Sequence, residues 1–104
     1  MKLKVFITPR AREQIRGLNA YWRANREKAP KLLRNELRNT FALVSERPGA
    51  GWHVKDTRID NLRTYPVKKT PYLVYYVHNI DKKRIEVLAV WSGMREYGPP
   101  FDRL

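Results

Sequence analysis

The chain opens with alternating apolar and polar positions. Between residues 2 and 7, Leu3, Val5 and Ile7 occupy every second position. This two-residue period is typical of a strand with one buried face, because successive side chains of a strand point to opposite sides. The pattern therefore predicts a first strand over residues 2–7.

Two helices are predicted to follow this strand. Thr8 is a favourable N-cap, and Pro9 suits the first helical position because the amide it lacks is not needed there. The next apolar residues recur at spacings of three or four, as Ala11, Ile15, Leu18 and Trp22 and then as Leu33, Leu37, Phe41 and Val44. They predict one helix to about residue 25 and a second that begins at Pro30 and is ended by Pro48 and Gly49. The short connection between them predicts an antiparallel helical hairpin.

The rest of the chain has the composition of strands. Residues 62–67, 72–78 and 84–91 are rich in β-branched and aromatic side chains, with turn signals between them. Residues 49–60 are predicted to form an ordered loop, since they hold two glycines among polar residues. In the middle strand, one set of alternating residues is expected under the helices and the other to face outward: Tyr72, Val74 and Tyr76 against Leu73, Tyr75 and Val77.

The predicted order is β-α-α-β-β-β. Successive strands with short links form antiparallel pairs, so the fold class is α+β, a small, mainly antiparallel sheet with the helical hairpin packed on it. A length of 104 residues fits a single domain over residues 1–104. The basic start is broken at Pro9 before any long apolar run, so neither a secretory signal nor a membrane span is expected.

Amino-acid composition then limits the kinds of functional site that the chain can form. There are no cysteines, which excludes disulfides, thiolate metal ligands and cysteine nucleophiles, and the two histidines, His53 and His78, lie 25 positions apart without metal-type spacing. Neither a metal nor another cofactor is therefore predicted. The glycines are scattered and form no phosphate-binding loop. A cysteine-free chain is compatible with a cytoplasmic location.

Charge indicates an acidic partner. Lys and Arg total 22 against 10 Asp and Glu, giving a net charge of +12 and a pI near 10.4. Such a surface attracts nucleic acids and acidic proteins; the alternative is a solvated surface that only maintains solubility. Cationic and aromatic side chains of the strands and C-terminal segment together suit an extended or single-stranded nucleic acid, whose phosphates meet Arg or Lys and whose bases stack on rings. The candidates for target contact are Arg63, Tyr65, Tyr72, Arg95, Tyr97 and Phe101.

The helical hairpin carries a second basic surface. Its simplest explanation is the solvated face of two amphipathic helices. The more specific hypothesis is that it docks an acidic polypeptide through apolar anchors surrounded by arginines. The candidate residues are Arg16, Leu18, Tyr21, Trp22, Arg23, Leu33, Arg34 and Leu37.

The predicted order and three sequence segments resemble a known superfamily. The segments are Arg63-Thr64-Tyr65-Pro66-Val67, Pro71-Tyr72-Leu73-Val74-Tyr75-Tyr76-Val77, and Ile85-Glu86-Val87-Leu88-Ala89-Val90-Trp91-Ser92-Gly93-Met94-Arg95. They are similar to the RelE/ParE superfamily of type II toxin–antitoxin toxins, especially its ParE-like branch. Thr8-Pro9-Arg10-Ala11 also matches the entry of these toxins into their first helix. The resemblance covers essentially the whole chain.

The resemblance implies two alternative activities. RelE-like members cleave mRNA on the ribosome with cationic and tyrosine side chains, whereas ParE-like members poison DNA gyrase. The matched RelE-like site would place Arg63 and Tyr65 at two lysine positions, Tyr72 and Arg95 at two arginine positions, and Phe101 near the functional tyrosine. Only Arg95 is retained outright, and phenylalanine has no hydroxyl to exchange a proton. The resemblance therefore favours a gyrase inhibitor that lacks its own hydrolytic chemistry.

The expected partners follow from the resemblance. A cognate acidic antitoxin would form a hetero-oligomer with the chain, through a disordered tail that folds on binding as a helix beside the hairpin or a strand on a sheet edge. DNA gyrase is the expected target, and operator DNA would be reached only through the antitoxin. The alternatives are a ribosome-dependent mRNA endonuclease and a non-toxic RNA-binding module.

Overall fold

The structure is a computed structural model that describes residues 2–55, 58–95 and 97–101. Two helices, α1 (Pro9–Asn25) and α2 (Leu32–Glu46), lie between the first strand and the others, which confirms the α+β class and the predicted hairpin. The strands in chain order are β1 (Lys4–Ile7), β2 (Trp52–His53), β3 (Arg63–Pro66), β4 (Tyr72–Asn79) and β5 (Arg84–Ser92).

The described strands form one sheet in the order β1-β5-β4-β3-β2. β3, β4 and β5 are antiparallel neighbours, as predicted, whereas β1 pairs with β5 in parallel. The strand β2 was not predicted, because two residues give no periodic signal. It follows a short 3-10 turn, Pro48–Ala50, and pairs with the start of β3. The segment after α2 therefore contains a 3-10 turn and a short strand where an ordered loop was expected.

Local chemistry explains where the helices begin. Thr8 accepts a hydrogen bond from the amide of Ala11 at 3.2 Å, and Pro9 is the first residue of α1, which confirms both parts of the predicted cap. Helix α2 begins at Leu32 and not at Pro30, because Ala29 and Pro30 form part of the turn that reverses the chain. The amide of Leu32 closes this turn on the Ala29 carbonyl at 3.2 Å.

The main core lies between the sheet and the two helices. The predicted helical stripes point into it: Ala11, Trp22, Leu33, Leu37 and Val44 are buried there, with Ile15, Leu18 and Phe41 partly buried around them. Tyr72, Val74 and Tyr76 supply the sheet side of this core, as the alternation predicted.

A second apolar cluster covers the opposite face of the sheet. Leu62, Tyr75 and Ala89 are buried in it, and Leu73 and Val77 pack against it instead of facing solvent. Val54, Ile59 and Phe101 cover this face. The expectation that the second set of β4 residues faces outward is therefore wrong for Tyr75, which is only 8% exposed.

Candidate functional site: two surfaces and a locked turn

The six residues predicted to contact a target do not form one site. Residues paired directly across antiparallel strands share a face. Arg63 pairs with Tyr76 and Tyr65 with Val74, so both point to the helix side, where Tyr72 also lies. Arg95, Tyr97 and Phe101 follow β5 and lie against the second cluster on the other face.

Arg63 has a structural role in a locked turn. Its guanidinium Nη1 donates to the Gly51 carbonyl at 2.8 Å and lies 3.5 Å from the Gly49 carbonyl. The Tyr76 hydroxyl, on the neighbouring strand, donates to the Pro48 carbonyl at 2.8 Å and accepts from the Gly51 amide at 2.9 Å. Burial raises the pKa of Tyr76, partly offset by the Gly51 hydrogen bond and by Arg63. These contacts fasten residues 48–51 to the sheet.

Tyr65 and Tyr72 are also held by packing. Tyr65 stacks on Trp52 with ring centroids 6.2 Å apart and an interplanar angle of 25°. Tyr72 is only 6% exposed and meets Trp22 edge to face at 6.3 Å, so its ring is unavailable for stacking on a nucleic-acid base. Burial also raises the pKa of Tyr72, so its hydroxyl is a weaker acid than a free phenol.

The other three predicted residues lie near a surface that we call the C-terminal patch, defined as Trp91, Met94, Arg95 and Tyr97. The Arg95 guanidinium sits over the Trp91 ring at 4.3 Å, and the Trp91 indole donates to the Tyr97 carbonyl at 2.9 Å. Met94 is 82% and Tyr97 68% exposed. Trp, Tyr, Arg and Met are enriched where proteins bind other proteins, so this composition suits a docking surface.

Phe101 supports the C-terminal patch from beneath. Its ring meets Tyr75 edge to face at 5.5 Å, which ties the end of the described chain to the second cluster. A phenyl ring in this position packs but cannot exchange a proton. Sequence reasoning missed Trp91 and Met94, although an aromatic and a methionine close to Arg95 were a usable signal for an exposed anchor.

The second surface is a groove between α1 and α2. A cavity of about 480 Å³ is lined by Ile7, Ile15, Asn19, Arg34, Leu37, Arg38 and Phe41. A smaller one of about 150 Å³ shares Asn19 and Arg34 and continues past Arg23 and Lys31. We call the two together the hairpin groove. Its floor is apolar and its sides are cationic, and the buried Oδ1 of Asn19 has no hydrogen-bond partner among the described residues.

The eight residues predicted to bind an acidic polypeptide are divided by this geometry. Arg23, Arg34 and Leu37 line the hairpin groove, and Tyr21 is 62% exposed. Leu18 is partly buried against the core. Arg16 is exposed and paired with Glu13 at 2.6 Å. In contrast, Trp22 and Leu33 are buried in the core and do not offer their side chains to a partner.

Sequence reasoning missed seven groove residues: Ile7, Ile15, Asn19, Pro30, Lys31, Arg38 and Phe41. The sequence places Phe41 on the core stripe of α2. Only the packing of the two helices shows that this partly buried residue also lines the groove. Asn19 gave no signal at all, since a polar helical residue is ordinarily solvated. Its position beside Arg34 depends on the hairpin geometry.

Chemically, neither surface resembles a metal or acid–base site. Within the described ranges, no group of three or more His, Cys, Asp or Glu side chains is placed to hold a metal ion. Arg63 and Arg95, the two arginines predicted to face one target, lie on opposite faces of the sheet. They therefore do not converge on one phosphate. No helix in the described residues is long and apolar enough to cross a membrane.

Comparison with known proteins identifies the family. Residues 5–97 match the family model for the ParE toxin of the type II toxin–antitoxin system parDE. The chain belongs to the ParE toxin family. It is thus a type II toxin–antitoxin toxin of the RelE/ParE superfamily, which confirms the predicted resemblance. A comparison with curated proteins found no match.

Solved structures share the fold of this ParE-family chain. A free-state mutant of Escherichia coli RelE has a TM-score of 0.66 at 17% identity, covering 90% of this chain and 86% of that chain. The RelBE2 complex of Mycobacterium tuberculosis gives 0.63 at 16% identity, with coverages of 88% and 99%. A chromosomal ParDE system from Pseudomonas aeruginosa gives 0.67 at 14% identity, with coverages of 88% and 96%.

Proposed function

We propose that this ParE-family toxin inhibits DNA gyrase by binding it through the C-terminal patch, in the cytoplasm, without cutting RNA or DNA itself. The observation that carries the proposal is the separation of the candidate side chains. Arg63 is bound to backbone carbonyls, Tyr72 is buried, and Arg95 lies on the other face over Trp91. A family match over residues 5–97 supports the same branch.

The arrangement of these side chains does not suit phosphodiester cleavage. A general base and acid must lie within hydrogen-bond reach of the reacting oxygens, and cations must stabilise the negative charge that develops on the phosphoryl oxygens. Of the predicted site residues, only Arg95 is an accessible cation, and Phe101 supplies no hydroxyl. A docking surface needs none of these groups. It needs exposed anchors, which Met94 and Tyr97 provide.

A supercoiling assay tests the proposal. Purified protein titrated into gyrase should inhibit supercoiling at micromolar concentration. The Arg95→Ala variant should need at least about ten times as much protein for the same inhibition, because arginine is a common hot-spot residue in protein interfaces. Lys82→Ala, an exposed lysine in the turn after β4, is the matched control and should inhibit like the wild type. Unaffected supercoiling at micromolar protein would count against gyrase as the target.

The alternative function is ribosome-dependent mRNA cleavage. Its support is the similarity of the fold to that of RelE. Primer extension on translated mRNA after induction separates it from gyrase inhibition. Cleavage that disappears in Arg95→Ala would establish this alternative. Harmless overexpression would instead favour the RNA-binding module.

The hairpin groove is the proposed binding site of the antitoxin. Two of the structural neighbours are toxin–antitoxin complexes, and an apolar floor between cationic sides suits an acidic amphipathic helix. Ile15 and Phe41 would receive its apolar face, and Arg34 and Arg38 its carboxylates. Operator DNA would be reached through the antitoxin bound here.

Reversing charges in the hairpin groove tests this docking site. The triple variant Arg23→Glu, Arg34→Glu, Arg38→Glu should bind the cognate antitoxin at least tenfold more weakly at low salt, because like charges then face each other. The variant Lys55→Glu, Lys82→Glu, which changes exposed charges elsewhere, should retain most of the affinity. Isothermal titration calorimetry measures both. Unchanged affinity of the triple variant would show that the groove is not the docking site.

A further inference from the structure

The end of the molecule at which the two helices meet is strongly cationic. Residues 23–38 and 68–69 contain eight Lys or Arg and two Glu, so they hold a net charge of +6, half of the +12 of the chain. Some of these cations line the hairpin groove. The others form what we call the hairpin-end patch, defined as Arg26, Lys28, Lys68 and Lys69, all of them exposed.

Several contacts bring the two segments of this patch together. Tyr72, at the start of β4, packs on Trp22 near the end of α1 at 6.3 Å. The Trp22 indole in turn donates to the carbonyl of Ala29 in the helix–helix turn at 2.8 Å. Lys69, in the turn before β4, reaches Glu36 of α2 at 3.6 Å. The helix–helix turn and the β3–β4 turn are therefore neighbours.

Little of the charge of the hairpin-end patch is neutralised within the described residues. The described residues contain three ion pairs, and only the one between Lys69 and Glu36 involves this patch. Arg26 lies over the Trp22 ring at 5.2 Å, which orients its guanidinium without neutralising it. Unpaired cations gathered from separate segments raise the local positive potential and attract polyanions.

The two rings that lie beneath the patch are not available as anchors for a protein partner. Trp22 and Tyr72 lie beneath it and are only 5% and 6% exposed, so neither can fill a pocket of a protein partner. The depression along residues 24–29, of about 570 Å³, is open and lined by small and charged residues. Tyr21 is 62% exposed and adds a hydroxyl, a group that commonly contacts phosphate oxygens.

We propose that the hairpin-end patch binds the phosphate backbone of duplex DNA directly, without sequence preference. Duplex DNA carries about one negative charge per 1.7 Å of its axis and needs only cations placed along a surface. Single strands are instead bound in a groove where successive bases stack on several aromatic rings. Here Trp22 and Tyr72 are buried, so Tyr21 alone among the rings named for this surface is exposed and cannot stack successive bases. The inference goes beyond gyrase binding and beyond the expectation that DNA is reached only through the antitoxin.

Fluorescence anisotropy with the isolated full chain and a labelled random-sequence duplex tests the proposal over a series of salt concentrations. Lys28→Glu, Lys68→Glu should weaken binding about tenfold or more at low salt and lower the slope of log K against log salt by about 2, one for each lost phosphate contact. Neither lysine belongs to the hairpin groove or the C-terminal patch. Thermal denaturation verifies that the variant folds.

The matched control is Lys55→Glu, Lys82→Glu, which changes the net charge by the same amount at other exposed positions. It should bind the duplex nearly as well as the wild type and keep the salt slope. Equal weakening by both variants would overturn the proposal, because the attraction would then come from diffuse charge. Tighter binding to a single-stranded RNA with the same number of phosphates would overturn the assignment to duplex DNA.

Discussion

Individual contacts at the locked turn decide which residues are free to act on a partner. Arg63 was a candidate for target contact from sequence, yet its guanidinium holds the Gly51 carbonyl at 2.8 Å. The Tyr76 hydroxyl fixes the same turn from the adjacent strand. Neither contact could be predicted from the sequence, because the turn and the two strands meet only after folding. The exposure of Arg95 fits its sequence-based selection, although its stacking on Trp91 was not foreseen.

Gly51 is expected to tolerate no side chain. A Cβ at this position would lie 2.7 Å from the Tyr76 hydroxyl oxygen and 2.8 Å from the Thr64 carbonyl oxygen. Gly51→Ala should therefore lower the free energy of unfolding by about 1–3 kcal/mol, as overpacking usually does. Urea denaturation measures the change.

Gly17→Ala is the matched control for this substitution. A Cβ at Gly17 meets nothing within 4 Å, and the residue lies inside α1. Alanine there should raise the free energy of unfolding by about 0.5–1 kcal/mol through helix propensity. Equal effects of the two substitutions would contradict the packing described for Gly51.

Three buried tyrosines make stability dependent on alkaline pH. Burial raises the pKa values of Tyr72, Tyr75 and Tyr76 above the ordinary 10.0, so the folded chain retains phenolic protons that the unfolded chain releases. The contribution to the free energy of unfolding is therefore complete below pH 10 and is lost as the pH rises above it. Denaturant titrations at a series of pH values measure this loss. Tyr76→Phe should flatten the decline, and an unchanged slope would contradict the role of Tyr76.

At the level of elements, the helix–sheet arrangement depends on a hydrogen bond between two residues that lie 76 positions apart in sequence. The Gln14 side-chain oxygen accepts from the Val90 amide of β5 at 2.9 Å. This amide lies beyond the last residue pair of β1 with β5, Ile7 and Val87, so no strand is there to accept its hydrogen. Helix α1 thus completes the edge that β1 leaves open.

Replacing Gln14 tests this link between helix and sheet. Gln14→Leu should lower the free energy of unfolding by about 1–3 kcal/mol, because the Val90 amide loses its acceptor in a partly buried position. Gln14→Glu keeps a side-chain oxygen in place and should restore most of the loss. Guanidinium denaturation of both variants measures the difference, and equal losses would mean that the hydrogen bond contributes little.

The elements differ in how far sequence could predict them. Both helices were predictable because their apolar stripes repeat over several turns, and β4 and β5 because they are rich in β-branched and aromatic residues. The parallel pairing of β1 with β5 was not, since it joins residues about 80 positions apart. β5 also carries an irregularity: Tyr75 faces Ala89 but Tyr76 faces Val87. This extra residue lets the apolar run around Leu88 serve both clusters.

At the scale of the whole molecule, three surfaces differ in how they combine charge, apolar side chains and exposed rings. The hairpin groove combines an apolar floor with arginines, the C-terminal patch exposes Met94 and Tyr97, and the hairpin-end patch is mainly cationic. Sequence composition predicted an acidic partner but not this division, because charge counts contain no geometry. The division allows the proposed antitoxin, gyrase and DNA contacts to be removed separately by mutation.

The most direct test of the central claim compares two activities of one preparation. The protein, released from its antitoxin, is added over the same concentration range to gyrase with relaxed plasmid and to ribosomes translating a defined mRNA. We expect supercoiling to be inhibited while the mRNA remains full length. Cleaved mRNA at concentrations that leave supercoiling untouched would contradict the account.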